Sequence, residues 1–207
     1  MTLRSVCFVF ALCLSGSAAS AASEAIGAAD RVQDLVTASR AGSARDLQAG
    51  QPLFFRDAIK TGPGARFVGK LDDGTVLTLG EKGKLTIDDF VYNPNVQGGK
   101  LVVSVAQGAF LFVGGKIEAP TGGNVDIKTP VGTLGVRGTT VWGGRIDGGF
   151  GVLVLKGEVW LKTKRGTVDL KEGEGAMVYG AHAPTSPAPW SADRTKRAVA
   201  SISLKSP

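Results

Sequence analysis

The residue whose surroundings best suit binding chemistry is Arg137, in the run IKTPVGTLGVRGTTV at residues 127–141. A guanidinium group binds carboxylates and phosphates through paired hydrogen bonds, and the glycines around Arg137 would let a partner approach closely. Two roles follow. Arg137 is either a contact for an anion or partner protein, or one half of an internal ion pair that fixes the local bend, with Asp88, Asp89 or Glu158 as the acid. We favour the ion pair.

Two aspartate pairs, Asp72–Asp73 and Asp88–Asp89, suggest calcium, because carboxylates are the ligands that calcium prefers. Their spacing lacks the alternating acidic pattern of a calcium loop, and Asp73 with Gly74 is already explained as a tight turn. The sequence therefore predicts no metal site.

Catalytic groups are few. His182 is the single histidine and lies beside a proline-rich segment, where a solvated residue is expected rather than a general base. No serine stands in a nucleophile-elbow motif, and Cys7 and Cys13 both fall in an N-terminal leader. We expect neither enzyme activity nor a bound cofactor.

Residues 1–21 have the pattern of a secretory signal peptide. Arg4 supplies a short basic region, residues 6–14 an apolar core, and Ala19-Ser20-Ala21 a cleavage site of small residues. No later apolar run reaches the roughly 20 residues that a membrane-spanning helix needs. The mature protein is expected to be periplasmic or secreted, without thiols and without a transmembrane segment.

Composition favours an all-β protein. Glycine contributes 30 of 207 residues, about twice the usual share, and is spread along the middle of the chain as in many short strands joined by tight turns. The formal charge of +6 falls by one once Arg4 is removed, and acids are interspersed throughout. Such a diffuse charge is not a nucleic-acid footprint, and we interpret it as a solvated surface rather than a site for acidic polysaccharide.

From Ala65 onward, β-rich runs alternate with glycine-bearing turns about every ten residues. This predicts a single domain over residues 50–180, either a β-sandwich or a β-roll of solenoid type. Leu77 and Leu79 alternate with polar residues and should share a buried face. Residues 93–100 should form a loop, and the other predicted turns are centred on Asp73-Gly74, Glu81-Lys82-Gly83, Gln107-Gly108, Lys156-Gly157, residues 164–166 and residues 172–175.

The flanking segments carry weaker signals. Residues 22–49 are rich in alanine and fit either a helix or a leading strand. Residues 181–207 contain a proline-rich connector and then a short basic helix, which Ser191 would cap and which would run through Leu204. We favour this helix as a lid on the β core over a partner-binding helix.

Aromatic residues in the predicted strands are Trp142, Phe150 and Trp160. Strand aromatics usually pack in the core, so at least two of the three should be buried. An exposed row of them would instead favour carbohydrate stacking.

The most specific local pattern is again the run around Arg137. Pro130 lacks a donor N–H and forces Thr129 into an extended conformation, which predicts an edge or a bend. Evenly spaced glycines, Gly135 and Gly138 among them, predict bulges or the close approach of another chain segment. The candidate contact or structural motif consists of Thr129, Pro130, Gly135, Arg137, Gly138 and Thr139.

Three blocks in order, LDDGTVLTLGEKGKLTIDDFVYNP, VSVAQGAFLFVGGKI and VDIKTPVGTLGVRGTTV, resemble the FecR family domain. The resemblance implies an extracytoplasmic all-β module for sensing or protein contact. In FecR itself, a periplasmic part reads the loaded state of an outer-membrane iron receptor, and a membrane helix and cytoplasmic segment pass that state to a sigma factor. This sequence has a predicted leader in place of those segments, so we expect it to act through another membrane partner.

Three hypotheses remain. The first is an exported, non-enzymatic FecR-like domain in envelope sensing or signalling that contacts an envelope or membrane protein, through a sheet edge or the GVRGT segment. The second is a secreted structural or adhesive module that binds surface polysaccharide or self-assembles. The third is a small-ligand binder with a pocket in a β-roll.

Overall fold

A computed structural model describes residues 24–96, 98–118 and 123–204. The predicted signal peptide at residues 1–21, with both cysteines, lies outside these ranges. Within them the chain is built of strands, one 3₁₀ turn and one short α-helix near the C-terminus. The prediction of an all-β protein with a C-terminal helix is confirmed.

The strands run from near the start of the described chain to just before the helix. They are β1 (Ala25–Gln33), β2 (Val36–Arg40), β3 (Ser43–Asp46), β4 (Pro52–Phe54), β5 (Ala58–Thr61), β6 (Arg66–Leu71), β7 (Val76–Leu79), β8 (Lys84–Tyr92), β9 (Gly99–Gln107), β10 (Phe110–Val113), β11 (Asn124–Lys128), β12 (Gly132–Ile146), β13 (Gly149–Thr163), β14 (Gly166–Lys171), β15 (Glu174–Val178) and β16 (Ala188–Pro189). The 3₁₀ turn is Lys116–Glu118, and the helix α1 is Ala192–Ala200.

All the described strands belong to one continuous hydrogen-bonded sheet. Its main path is β3-β2-β5-β8-β9-β11-β12-β10-β7-β6-β1-β4, and β13 pairs with β12, β14 and β15 beside that path. Only β9 and β11 pair in parallel among these strands. The described strands thus form one curled, almost wholly antiparallel sheet, which differs from the parallel rungs of a solenoid.

The sheet must curl, because side chains from distant strands share one core. Strands lie about 4.8 Å apart, so twelve paired strands laid flat would span roughly 50 Å. Yet Val36 on β2, Leu53 on β4, Leu134 on β12 and Leu170 on β14 belong to one cluster of buried residues. The curled sheet therefore wraps around one main core, with Leu77 and Leu79 buried in it as predicted.

Arg45 ties the two ends of the strand path together. Its guanidinium on β3 donates to the backbone oxygen of Pro52 on β4, at 3.0 Å, and to a carboxylate oxygen of Asp57, also at 3.0 Å. Asp57 is fully buried and also accepts a hydrogen bond from the backbone N–H of Phe54 at 2.9 Å. Since a buried carboxylate needs such partners, Arg45 and Asp57 stabilise the closed shape of the sheet.

One open alternative is decided, and one local prediction was wrong. Of the two alternatives for residues 22–49, the leading strand holds in the described part from residue 24 onward, because β1 pairs on one side with β6 and on the other with β4, and β2 and β3 follow it. Pairing on both edges overrides the helix propensity of alanine. The predicted turn at Lys156-Gly157 is instead an irregularity inside β13, where Gly157 has φ +80°.

The remaining turns fall where the glycines predicted them. Strands end and restart at or next to Asp73-Gly74, Glu81-Lys82-Gly83, Gln107-Gly108 and residues 164–166, and the turn predicted at residues 172–175 is shorter because β15 begins at Glu174. The described part of the loop predicted at residues 93–100 joins β8 to β9, which begins at Gly99.

The C-terminal helix packs on the sheet. The Ser191 hydroxyl caps α1 by accepting from the N–H of Arg194 at 3.3 Å, as predicted, but the helix ends at Ala200 rather than Leu204. Ala198 and Ile202 lie in a buried cluster with Trp142 and Leu153 of the sheet. The lid alternative is confirmed.

Asp147 fixes this lid from outside. In the turn after β12, its carboxylate accepts hydrogen bonds from Arg197 at 2.6 Å and from Arg194 at 2.8 Å. These bonds, led by the one from Arg197, lower the pKa of Asp147.

No helix in the described ranges is long and apolar enough to cross a membrane.

Candidate functional site

The turn between β11 and β12 is formed by the TP dipeptide of the motif. The N–H of Thr129 donates to the backbone oxygen of Gly132 at 2.8 Å, and the Thr129 hydroxyl donates to the same oxygen at 2.7 Å. Pro130 lies inside this turn, where its missing N–H leaves no strand hydrogen bond unmade. The predicted bend at Thr129-Pro130 is confirmed.

The second half of the motif bends the β12–β13 hairpin. A straight strand as long as β12 would span roughly 50 Å. Val131, just before β12, and Arg145, near its end, nevertheless line one cavity of about 740 Å³. The strand pairing shifts register between Arg137 and Thr140, which places the bend there.

Two glycines make this bend possible. Gly138 has φ +63° and Gly157, opposite it on β13, has φ +80°. A Cβ atom on Gly157 would lie 2.4 Å from the backbone oxygen of Gly138, so no larger residue fits without a shift. We call Gly138, Thr139 and Gly157 the corner.

Glu118 holds the corner from inside the molecule. Its carboxylate accepts from the Thr139 N–H at 2.9 Å and from the Thr139 hydroxyl at 3.2 Å. Glu118 is 8% exposed and Thr139 3%. Burial raises the pKa of Glu118, and hydrogen bonds from Thr139 and the Gly138 N–H partly oppose that rise. The bend is therefore fixed by a buried carboxyl group.

Asp73 positions the 3₁₀ turn that carries Glu118. Its carboxylate accepts from the N–H of Thr75 at 3.0 Å and from the Thr75 hydroxyl at 2.7 Å, and its backbone oxygen accepts from the N–H of Lys116 at 2.8 Å. Asp73 is only 1% exposed. The turn of Asp73, Gly74 and Thr75, which we call the DGT turn, is thus joined to the 3₁₀ turn and the corner by successive hydrogen bonds.

The four aspartates considered for calcium do not converge. Asp88 lies 3.2 Å from the Lys128 ammonium, and Asp89 lies 2.7 Å from that of Lys100. Asp73 is occupied within its own turn. In the ranges that the structure describes, no three His, Cys, Asp or Glu side chains group closely enough to share a metal ion.

Arg137 is exposed, and the predicted internal ion pair is wrong. Glu158 faces Arg137 across the β12–β13 pairing, but the two side chains form no salt bridge, and Asp88 and Asp89 pair with lysines. Among the described residues, no ion pair involves Arg137. The bend does not need this pair, because Glu118 already fixes the adjacent Thr139.

Arg137 shares an exposed surface with Trp160. Directly paired residues of neighbouring strands point to one side of a sheet, and these side chains alternate with buried valines and leucines. We call this surface the outer face. It comprises Arg137, Glu158, Trp160, Asp169 and Lys171.

Trp160 lies directly over Gly135. A Cβ atom at Gly135 would stand 1.8 Å from Cε2 of the indole, so the glycine is required for the ring to lie on the strand. Trp160 is 40% exposed, whereas Trp142 is 1% and Phe150 is 6% exposed. The prediction that at least two of these aromatics are buried is confirmed, and Trp160 is the exception.

The structure separates the six predicted motif residues by position. Thr129 and Pro130 form a turn, Gly138 and Thr139 form the corner, and Gly135 seats Trp160. Of these six residues, only Arg137 presents a charged group to solvent.

His182, considered in the sequence as a possible base, is exposed, and its Nδ1 lies 2.7 Å from the backbone oxygen of Tyr179.

Sequence reasoning missed Glu118, which organises the motif. The available signal is the glycine pair before it. A Cβ atom on Gly114 would stand 1.7 Å from a Glu118 carboxylate oxygen, and one on Gly115 would stand 2.4 Å from the N–H nitrogen of Thr75. A glycine pair next to a lone acid in an apolar stretch predicts space reserved for a buried carboxylate.

Comparison with known proteins agrees with the resemblance seen in the sequence. Residues 57–160 match the family described as FecR protein. No curated protein matches the chain. Two crystal structures of a protein from Parabacteroides distasonis ATCC 8503, assigned as an anti-sigma factor, are similar with a TM-score of 0.54 and 17% identity.

The matched region covers 67% of this chain and 62% of the Parabacteroides chain, so this chain spans about three-fifths of that protein's length. At this identity the structural likeness concerns the fold. The family match covers half of the chain, in the blocks that form the DGT turn and the corner. The chain belongs to the FecR family.

Proposed function

We propose that the protein is an exported FecR-domain module that acts by protein contact in envelope sensing or signalling. Family membership over residues 57–160 supports a sensing or signalling role. The Parabacteroides protein with a similar fold is described as an anti-sigma factor, which is in line with a signalling role. The predicted leader at residues 1–21 supports export.

The outer face is the surface that we propose binds the partner. Arg137 and Trp160 stand exposed beside each other, while the motif residues around them are engaged in the turn and the corner. Arginine and tryptophan are the residues most enriched at binding hot spots, because each combines a large apolar area with a directional donor. A partner would place a carboxylate on Arg137 and apolar groups on the Trp160 ring.

The charged residues beside this pair suit the rim of a contact. Glu158, Asp169 and Lys171 are exposed around Trp160 and carry both signs of charge. Rim charges of this kind set orientation and association rate more than affinity. The partner proposed is an envelope or membrane protein with an acidic and apolar patch.

Site-specific photocrosslinking in living cells tests the proposal. A benzophenone amino acid is placed at position 137 or 160, with position 31 as the control, because Arg31 is also exposed but lies on β1, far from β13 along the strand order. We expect one envelope protein to crosslink from positions 137 and 160 and not from 31. Equal crosslinking from all three positions, or none from 137 and 160, contradicts the proposal.

Export is tested separately. The mass of the protein recovered from the periplasm or the culture medium should correspond to loss of about the first 21 residues, since cleavage follows the small residues of the leader. An intact N-terminus in the cytoplasmic fraction contradicts export.

A second candidate function is polysaccharide binding at the cell surface. The observation that favours it is Trp160, which lies against Gly135 and is 40% exposed, so part of its ring is accessible for stacking on a sugar. Binding of an acidic polysaccharide that quenches indole fluorescence and is lost in Trp160→Ala would support this function. Crosslinking to one protein without such quenching supports the first.

A further inference from the structure

A cavity of about 740 Å³ opens where several turns of the curled sheet meet. It is lined by the turns after β7, β9, β11 and β12, through Lys82, Gly108, Pro130 and Gly148. Its volume is in the range of small-molecule sites. None of its lining residues belongs to the outer face, so this is a separate site.

The charged groups that line the cavity are mostly cationic. Arg66, Lys82 and Arg145 face one acid, Glu81. The Glu81 carboxylate accepts from the backbone N–H of Gly64 at 2.7 Å. Three cations and one carboxylate leave a local excess of two positive charges, which favours an anionic occupant.

The three cations differ in how far they are already engaged. Arg66 is 6% exposed, and its Nε donates to the backbone oxygen of Ser203 at 3.1 Å, so it contributes charge while holding the C-terminal segment. Lys82 and Arg145 are exposed, and neither forms an ion pair among the described residues. These two side chains are able to bind a ligand anion directly.

The rest of the lining is substantially apolar. Pro130 is exposed and Val131 half-buried, and both offer apolar surface to the cavity, whereas Phe150 and Val178 are 6% and 3% exposed and belong to the core. Accessible apolar side chains in a cavity wall favour a hydrocarbon or aromatic group as the neighbour.

We propose that this cavity binds a small amphipathic organic anion. The anionic group pairs with Lys82 and Arg145, and the apolar body packs against Pro130 and Val131. A carboxylate suits Arg145 particularly, because a guanidinium binds it in a paired geometry. This ligand site goes beyond the proposed protein contact and does not depend on it.

Octanoate is the test ligand, titrated into the purified protein and followed by two-dimensional amide NMR. Acetate carries the same charge without the apolar chain, and octan-1-ol carries the chain without the charge. We expect octanoate to bind more tightly than either, with the largest shifts at Gly108, Gly149 and Val178. Shifts confined to the outer face, or equal affinities for the three compounds, overturn the proposal.

Two variants test the cations. Lys82→Gln and Arg145→Gln should each weaken octanoate binding about two- to five-fold, as expected for a partly exposed ion pair, and the double variant more than either. Lys164→Gln, an exposed lysine in the β13–β14 turn, is the matched control and should leave the affinity unchanged. If all three substitutions act alike, general surface charge explains the binding and the assigned site is wrong.

Discussion

Glu118 and Arg137 are two charged residues at the bend of β12, and their surroundings are opposite. Glu118 is buried and accepts hydrogen bonds from Thr139 and Gly138. Arg137 precedes Gly138 in the chain, yet its side chain is exposed and forms no ion pair among the described residues. The residue that fixes the bend comes from another part of the sequence, and the charged residue in the motif is left available.

This difference shows why a family motif is not by itself a binding site. Three of the five GVRGT residues have structural roles, since Gly135 makes room for Trp160, glycine adopts the φ of +63° at position 138 with the least strain, and Thr139 donates to Glu118. Arg137 has no such structural requirement. Substitutions on the two sides of the bend should therefore have unequal effects on folding.

The largest effect should come from Glu118→Ala. The substitution leaves the buried N–H and hydroxyl of Thr139 without their acceptor, and each unsatisfied buried group costs about 1–3 kcal/mol. We expect the free energy of unfolding to fall by about 3 kcal/mol or more in urea denaturation.

Glu158→Ala is the matched control, since Glu158 is also a glutamate near the bend but is exposed. Its unfolding free energy should change by less than about 0.5 kcal/mol. Similar losses of unfolding free energy in both variants would mean that the buried Glu118 contributes no more to folding than the exposed Glu158.

A moderate effect should come from Gly135→Ala. The new Cβ would overlap the Trp160 ring, so the ring must lift or the strand must shift, at a cost of about 1–3 kcal/mol. Urea denaturation of Gly135→Ala, Trp160→Ala and the double variant measures the coupling. In the Trp160→Ala background, Gly135→Ala should cost clearly less, and an unchanged cost would show that the ring is not what requires the glycine.

A smaller effect should appear in the pH dependence of the unfolding free energy when the natural protein is compared with Glu118→Gln. The folded protein raises the pKa of Glu118 above its ordinary value of 4.5, chiefly by burial. Between the two pKa values the folded state binds more protons than the unfolded state, so the contribution of Glu118 to stability falls as pH rises. Glutamine cannot titrate. The unfolding free energy of the natural protein relative to Glu118→Gln should therefore decrease from about pH 4 upward and level off above the folded pKa.

Urea denaturation across this pH range provides the measurement, and titrations of other groups largely cancel between the two proteins. An increase in the relative stability of the natural protein with pH would mean that the hydrogen bonds to the Glu118 carboxylate outweigh its burial.

The sequence predicted the parts of the fold that depend on local chemistry. Asp73-Gly74 and Gln107-Gly108 form turns because glycine supplies positive φ angles, and Ser191 caps the helix because its hydroxyl accepts a hydrogen bond in the first turn. The Gly157 prediction failed because a positive φ serves a bulge inside a strand as well as a turn.

What the sequence did not reveal depends on contacts between distant residues. Glu118 meets Thr139 across 21 positions, and Arg45 reaches β4 only because the sheet curls. Arg137 looked like the partner of a nearby acid because spacing alone gives no indication of which strands are neighbours. Asp88 and Asp89, two of the proposed partners, lie on β8, which pairs with β5 and β9 and not with β12.

The smallest effect on stability should come from Arg137→Ala, which separates the folding role of the corner from the proposed contact role of Arg137. An exposed arginine without an ion pair among the described residues contributes little to folding, so the unfolding free energy should change by less than about 0.5 kcal/mol. Crosslinking from position 160 to the proposed envelope partner should nevertheless fall in the same variant, because the partner loses its charged contact. A stable Arg137→Ala protein that still crosslinks fully would assign the contact to Trp160 alone. A protein that unfolds would show that Arg137 supports the bend together with Glu118, and the two sides of the corner would then be one structural unit.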